Sequence, residues 1–178
     1  MLNFDLQAFL LVFCRRWRSH LTILLFFLKS LGLIFAILLV TVGYLVAPVV
    51  FQNLEQVSAG ELVGELLTLS NWLVLTGLTG ILVARLLGLK ALIHNWMLLL
   101  SISIVVFNQY WLSPLMKSIK LDYPHGLTKS SEAWSEFAMW HGVYQLLFLA
   151  LILLLLTWSV VNIKSMIYNE KNGNKKSL

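Results

Sequence analysis

The chain is poor in cysteine, in proline and above all in charge: one Cys, three Pro, and 21 residues of Lys, Arg, Asp and Glu among 178, or 12%. A single thiol, Cys14, cannot close an internal disulfide, and no paired-cysteine spacing offers a zinc or iron–sulfur site. Redox compartment is therefore not written in this sequence. Phosphate-binding glycine loops, dinucleotide fingerprints and a Gly-x-Ser-x-Gly elbow are also missing, which removes the usual sequence support for nucleotide chemistry or serine hydrolysis. So little charge excludes a disordered chain, and an ordinary soluble domain carries about twice as much. No nucleic-acid partner is expected.

What the chain has instead is apolar length. Hydrophobic residues make up 59%, and mean hydropathy is +0.83. A hydrocarbon core of about 30 Å needs about 20 apolar residues per helix, and four such stretches fit: 30–50, 66–84, 91–112 and 137–161. Lys29 reads as the floor of the first, its stem along lipid and its ammonium at the headgroups. Ala47-Pro48 closes that span, and Pro114 follows the third. Residues 52–65 read as a short acidic connection, and the stretch with Pro124, Gly126 and Lys129-Ser-Ser131 as a polar loop.

Ahead of the first span, residues 2–20 set Leu6, Phe9, Leu10, Phe13 and Trp17 at helical spacing beside Arg15, Arg16 and Arg18. This pattern predicts an amphipathic helix lying in the membrane interface. The basic residues follow the apolar ones and no small-residue cleavage site comes after them, so the segment does not resemble a signal peptide. Four spans put both termini on one side, and ten Lys and Arg fall on that side against three (Lys117, Lys120, Lys129) on the other. The positive-inside rule then predicts cytoplasmic termini. Six of the eight acidic residues lie on the outer side. The expected organisation is an amphipathic segment at 1–29, a four-span domain at 30–163 and a basic tail at 164–178 that attracts anionic headgroups. Thr76-x-x-x-Gly80-x-x-x-Ala84 and Gly43-x-x-x-Ala47 predict close helix approach within the bundle, or a homo-oligomer.

Polar side chains recur at the outer ends of the spans: Tyr44, Asn71, Asn108, His141 and Gln145. Inside a bilayer such groups are costly unless they meet one another or line a cavity. His141 and Gln145, four apart, share one helix face and can both reach Asn108. Two readings stay open. The cluster is either a small binding or proton-handling site or a set of interhelical hydrogen bonds that satisfies backbone freed near the prolines. Met139 and His141, with Met116 and His125, are candidate ligands for Cu(I), but two residues apart on a helix diverge by about 200°. Haem needs paired histidines at matched depth, and His20, His94, His125 and His141 offer no such pair. Glu132 and Glu136 suit the N-terminus of the fourth helix.

Four motifs in order complete the reading: Tyr44-Leu-Val-Ala-Pro-Val-Val-Phe51; Ala59-Gly60 with Gly64; Asn108-Gln-Tyr-Trp-Leu-Ser-Pro114; and Phe137-Ala-Met-Trp-His-Gly142. Over about residues 30–155 this set resembles the DUF4149 family, bacterial relatives of the transmembrane protein 205 group. Where that family tends to open the second span with Phe-Pro, this chain has Leu67-Thr68. The resemblance implies a four-helix membrane protein of unassigned activity, with Pro48, Pro114 and Gly142 in its helix-end motifs. Eukaryotic members are linked with drug and metal resistance.

The expected fold is thus an all-α, integral-membrane four-helix bundle with an N-terminal interfacial helix. The expected function is a multi-pass protein of the bacterial inner membrane, without enzymatic activity, that binds a small cation or polar solute, or supports a partner, through the outer cluster. A haem- or copper-binding redox enzyme and a subunit of an oligomeric transporter are the alternatives.

Overall fold

A computed structural model describes residues 23–87, 95–123 and 126–175, with side chains up to residue 168. Four helices make up the architecture: α1 (Ile23–Asn53), α2 (Gln56–Leu86), α3 (Asn95–Leu121) and α4 (Trp134–Lys175). Among the described residues there is no strand. All four helices are long and apolar enough to cross a membrane. The interfacial helix at 2–20, His94, His125 and the lysines at 171, 175 and 176 lie outside the residues, or the side chains, described.

Each helix is longer than its apolar stretch. The 31 residues of α2 rise about 46 Å, past a hydrocarbon core of about 30 Å. The acidic stretch 52–65 is therefore not a loop: only Leu54 and Glu55 interrupt the helices, and Glu61 and Glu65 ride on the outer turns of α2. Hydropathy marks where a helix leaves lipid, not where it ends. For the same reason Pro114 does not end the third helix, which runs on to Leu121.

Both membrane prolines sit directly after a π-helical segment, Thr41–Val46 in α1 and Asn108–Leu112 in α3. The physical cause is the ring. In an α-helix a proline clashes with the carbonyl four residues back and offers it no N–H. Here the preceding residue reaches back five instead of four, Ala47 N–H to Val42 O and Ser113 N–H to Asn108 O. The wider turn makes room for the ring. It also passes over the carbonyls of Gly43 and Gln109, to which Pro48 and Pro114 have no N–H to offer.

The bundle core contains Leu39, Val74, Leu78, Val105, Phe148 and Leu151, all buried. Around it, between 28% and 39% of each span is buried, and Ile23, Phe27, Ile37, Leu69, Leu146 and Leu153 point outward. Exposed leucine and phenylalanine on every helix is the surface a lipid solvent requires.

α1 and α4 lock together at one point. The Ser159 hydroxyl donates to Lys29 O at 2.7 Å and accepts from Leu33 N–H at 2.9 Å. Those two groups are an i, i+4 pair of α1, so a side chain of α4 bridges one rung of the ladder of α1. Gly32 permits it: a Cβ there would lie 2.8 Å from Ser159 Oγ and 3.0 Å from Leu155 O. Lys29, expected at the headgroups, is buried at this contact, 4% exposed, its backbone carbonyl bonded by Ser159. Among the small-residue positions, Gly43 contacts the Phe148 ring, whereas a Cβ on Gly80 would meet nothing within 4 Å; Gly77 is the residue of α2 against which Phe35 packs.

Gly32→Ala is expected to cost about 1–3 kcal/mol by overpacking, and Ser159→Ala about 0.6–2 kcal/mol. Equilibrium unfolding in mixed micelles checks both, and the double variant should cost less than the sum because the two changes share one contact.

Candidate functional site

The end of the bundle that carries Pro48 and Pro114 also holds Asn71, Asn108, Gln109, His141, Tyr144 and Gln145. Asn71, on α2, is buried. Its amide nitrogen donates to Gln109 Oε1 on α3 at 3.3 Å and to Tyr144 OH on α4 at 3.4 Å. These long bonds tie three helices at one depth. Asn108, the first residue of the π segment, is wholly buried, and among the described residues neither end of its amide has a partner.

The structure thus divides the predicted cluster. His141 and Gln145 face each other along α4, Nε2 to Nε2 at 3.5 Å, and Asn108 joins neither. Tyr44 is half exposed, its ring 6.3 Å from that of Phe148. Gly142 marks no close approach, since a Cβ there would meet nothing within 4 Å. Met139 is 55% exposed on another face of α4 from His141. Among the described residues no three His, Cys, Asp or Glu side chains gather as a metal site.

What His141, Tyr144 and Gln145 do share is a cavity of about 1020 Å³. Its walls are the outer turns of all four helices. Gly43, Ala47 and Phe51 come from α1, and Val63, Gly64 and Leu67 from α2. The third wall is the part of α3 beyond Pro114, with Met116, Lys117, Lys120 and Leu121, and Phe137 and Phe148 complete the fourth. Tyr123, Gly126 and Leu127 close one side; Gly126 has a φ of +91°, a backbone conformation open to glycine, and its N–H bonds Tyr123 O at 2.9 Å.

The cavity is layered along the helix axes. Its deep end is apolar and aromatic, at Phe148 and Leu67. Nearer the mouth α2 contributes Glu61, six residues before Leu67, with Glu65 between them, while α3 contributes Lys117 and Lys120. The Lys120 ammonium lies 5.0 Å from the centroid of the Phe137 ring, a cation–π contact, and 3.8 Å from where a Cβ of Gly60 would stand. The Glu61 carboxylate attracts it and Lys117 repels it. His141 stacks on the same Phe137, centroids 5.7 Å apart and planes at 16°. Phe137 is therefore flanked by an ammonium and an imidazole. Such an apolar body with a few convergent polar groups is the usual form of a small-molecule site.

Sequence reasoning missed Tyr144 and Gln109, the two partners of Asn71, and the pair Glu61 and Lys120. A signal for the local geometry was present: Tyr44-Leu-Val-Ala-Pro48 and Tyr110-Trp-Leu-Ser-Pro114 are the same five-residue pattern, Tyr-x-x-small-Pro, used on α1 and α3.

The family described as a domain of unknown function, DUF4149, matches residues 30–125. The chain belongs to the DUF4149 family. The matched segment spans most of α1 and all of α2 and α3, including both Tyr-x-x-small-Pro patterns, while the wall of the cavity with Phe137, His141, Tyr144 and Gln145 lies beyond it. No curated protein and no solved structure matches this DUF4149 chain.

Asn71→Leu and Tyr144→Phe should each lower stability by about 0.6–2 kcal/mol, the range for a hydrogen bond between membrane helices. A double-mutant cycle read by unfolding in micelles should show coupling between them; strictly additive losses would mean that the 3.4 Å contact carries no energy.

Proposed function

We propose that this DUF4149 protein is a multi-pass protein of the bacterial inner membrane, without enzymatic activity, that binds a small polar or charged solute in the cavity between the outer turns of its helices. Both termini are assigned to the cytoplasm by the distribution of Lys and Arg, so the cavity faces the other side. The observation that carries the reading is the cavity itself. Its volume suits a small molecule, and polar groups from three helices converge on an otherwise apolar wall.

Recognition in this reading is divided between two depths. Nearer the deep end, His141 and Gln145 offer a ring nitrogen and an amide to one partner, and the Tyr144 hydroxyl, anchored by Asn71, presents a fixed donor and acceptor. Nearer the mouth, Glu61, Lys117 and Lys120 supply charge of both signs, with Glu65 one turn deeper on α2. Charges on opposed walls orient a dipolar solute and reject one of wrong polarity. Catalysis is not part of the proposal. The relation to the transmembrane protein 205 group, the anionic headgroups at the basic tail and association into oligomers remain part of the reading as expectations from sequence.

The test is native mass spectrometry of the full-length protein released from membranes in mild detergent. Wild type should carry a non-covalent adduct in the mass range of a small molecule, and His141→Ala or Gln145→Ala should lower its occupancy by about tenfold, the effect of about 1.4 kcal/mol. A bare wild-type protein, or an adduct indifferent to both substitutions, overturns the proposal.

A further inference from the structure

The layering of the cavity says more about its occupant than its volume does. The apolar end, at Phe148 and Leu67, lies alongside residues of the continuous hydrophobic stretches, at the depth of acyl chains. The charged mouth, at Glu61, Lys117 and Lys120, lies further out: Glu61 is six residues from Leu67 on α2, about 9 Å at about 1.5 Å per residue, with Glu65 on the wall between them. The mouth is at the depth of headgroups. A solute from water would meet the charges first and find a lipophilic end useless; a membrane lipid matches both layers at once.

The charges narrow the headgroup. Lys120 and Lys117 on α3 line the cavity with Glu61 on α2 at its mouth and Glu65 one turn deeper on the same wall, two charges of each sign. Lys120 stands over Phe137 and feels the charges of both Glu61 and Lys117. A phosphodiester satisfies the lysines but leaves two carboxylates without a counter-ion. A headgroup that adds a primary ammonium satisfies both walls, because three N–H donors reach carboxylate oxygens directly. A quaternary ammonium brings the charge without the donors.

We infer that the cavity holds one glycerophospholipid with a primary-amine headgroup, its phosphate at Lys120, its ammonium at Glu61 and acyl chain packed toward Phe148. This rests on the proposed solute-binding role of the same cavity and names the class of solute. Binding a lipid of this kind in a cavity of the outer turns makes the protein a receptor or presenter of single lipid molecules, with no bond made or broken.

The experiment uses delipidated full-length protein and three defined lipids with identical dioleoyl chains: phosphatidylethanolamine, phosphatidylcholine and phosphatidylglycerol. Retention is read by native mass spectrometry, and soluble glycerophosphoethanolamine serves as a fourth probe. One ethanolamine lipid per chain should be retained, about tenfold more tightly than phosphatidylglycerol, with phosphatidylcholine between them. Glu61→Gln should remove that preference and Lys120→Gln should weaken all three lipids.

Gly64→Leu separates binding from folding. Gly64 lines the cavity and a Cβ there would meet nothing within 4 Å, so leucine fills cavity space while improving helix propensity. It should abolish retention without lowering the melting temperature of the lipid-free protein. Equal retention of the three lipids, or retention indifferent to Glu61→Gln and Gly64→Leu, overturns the inference. Binding of glycerophosphoethanolamine without the diacyl lipid overturns the lipid source and leaves the solute-binding role standing. If none of the four probes binds, the inference falls, and the co-purifying adduct of wild type then decides whether the broader role falls with it.

Discussion

Water does not reach the middle of a bilayer, so every backbone N–H and C=O of a spanning segment must find its partner inside the protein. In this chain that requirement reaches into the side chains. Ser70, Thr76, Ser101, Ser103 and Thr157 each turn their hydroxyl back to the carbonyl four residues earlier, so most hydroxyls of the spans are satisfied within their own helix. Ser159 instead joins two helices, as the Tyr144 hydroxyl does through Asn71. Ser159 spends both its donor and its acceptor on the ladder of α1, which fixes α1 and α4 in register in the half of the bundle away from Pro48 and Pro114.

At the other half the same requirement meets proline, and the solution is different. Two helices widen for one turn just before Pro48 and Pro114 and then continue. The inner half is dense, with Leu39, Val74, Leu78 and Leu151 buried against one another. The outer half begins where the widened turns lie and contains the cavity. Proline positions thus divide one continuous bundle into a packed part and an open part. The polar layer of Asn71, Gln109 and Tyr144 holds three helices at a fixed spacing, and its Tyr144 also lines the open part.

The four spans were legible because apolar length is a direct consequence of bilayer thickness, and their order and number needed no tertiary information. His141 and Gln145 were legible as a pair for a similar reason: four residues on a helix is a local distance. The partners of Asn71 were not, since Gln109 and Tyr144 lie 38 and 73 residues away and only the packing of three helices brings them together. Asn108 was expected within reach of His141 and Gln145 from similar depth alone, and depth does not say which way a side chain on another helix faces. The outer turns were hidden by their polarity. Glu61, Glu65, Lys117 and Lys120 read as loop charge, whereas they stand on helices that have simply risen out of the apolar zone.

The widened turns have a further effect on how the outer walls face. A π segment inserts one residue into the helical count, so everything after it is rotated by about 100° relative to the helix before it. A helical wheel drawn through α3 from Asn95 therefore points Met116, Lys117 and Lys120 about a quarter turn or more away from where they stand, and the wheel has to be restarted after Leu112. α1 behaves in the same way after Val46. The direction in which the two proline-bearing helices present their last turns is accordingly set by residue count, not by residue type: the chain length between Asn108 and Lys120 aims the ammonium into the cavity, as surely as its charge suits it to be there.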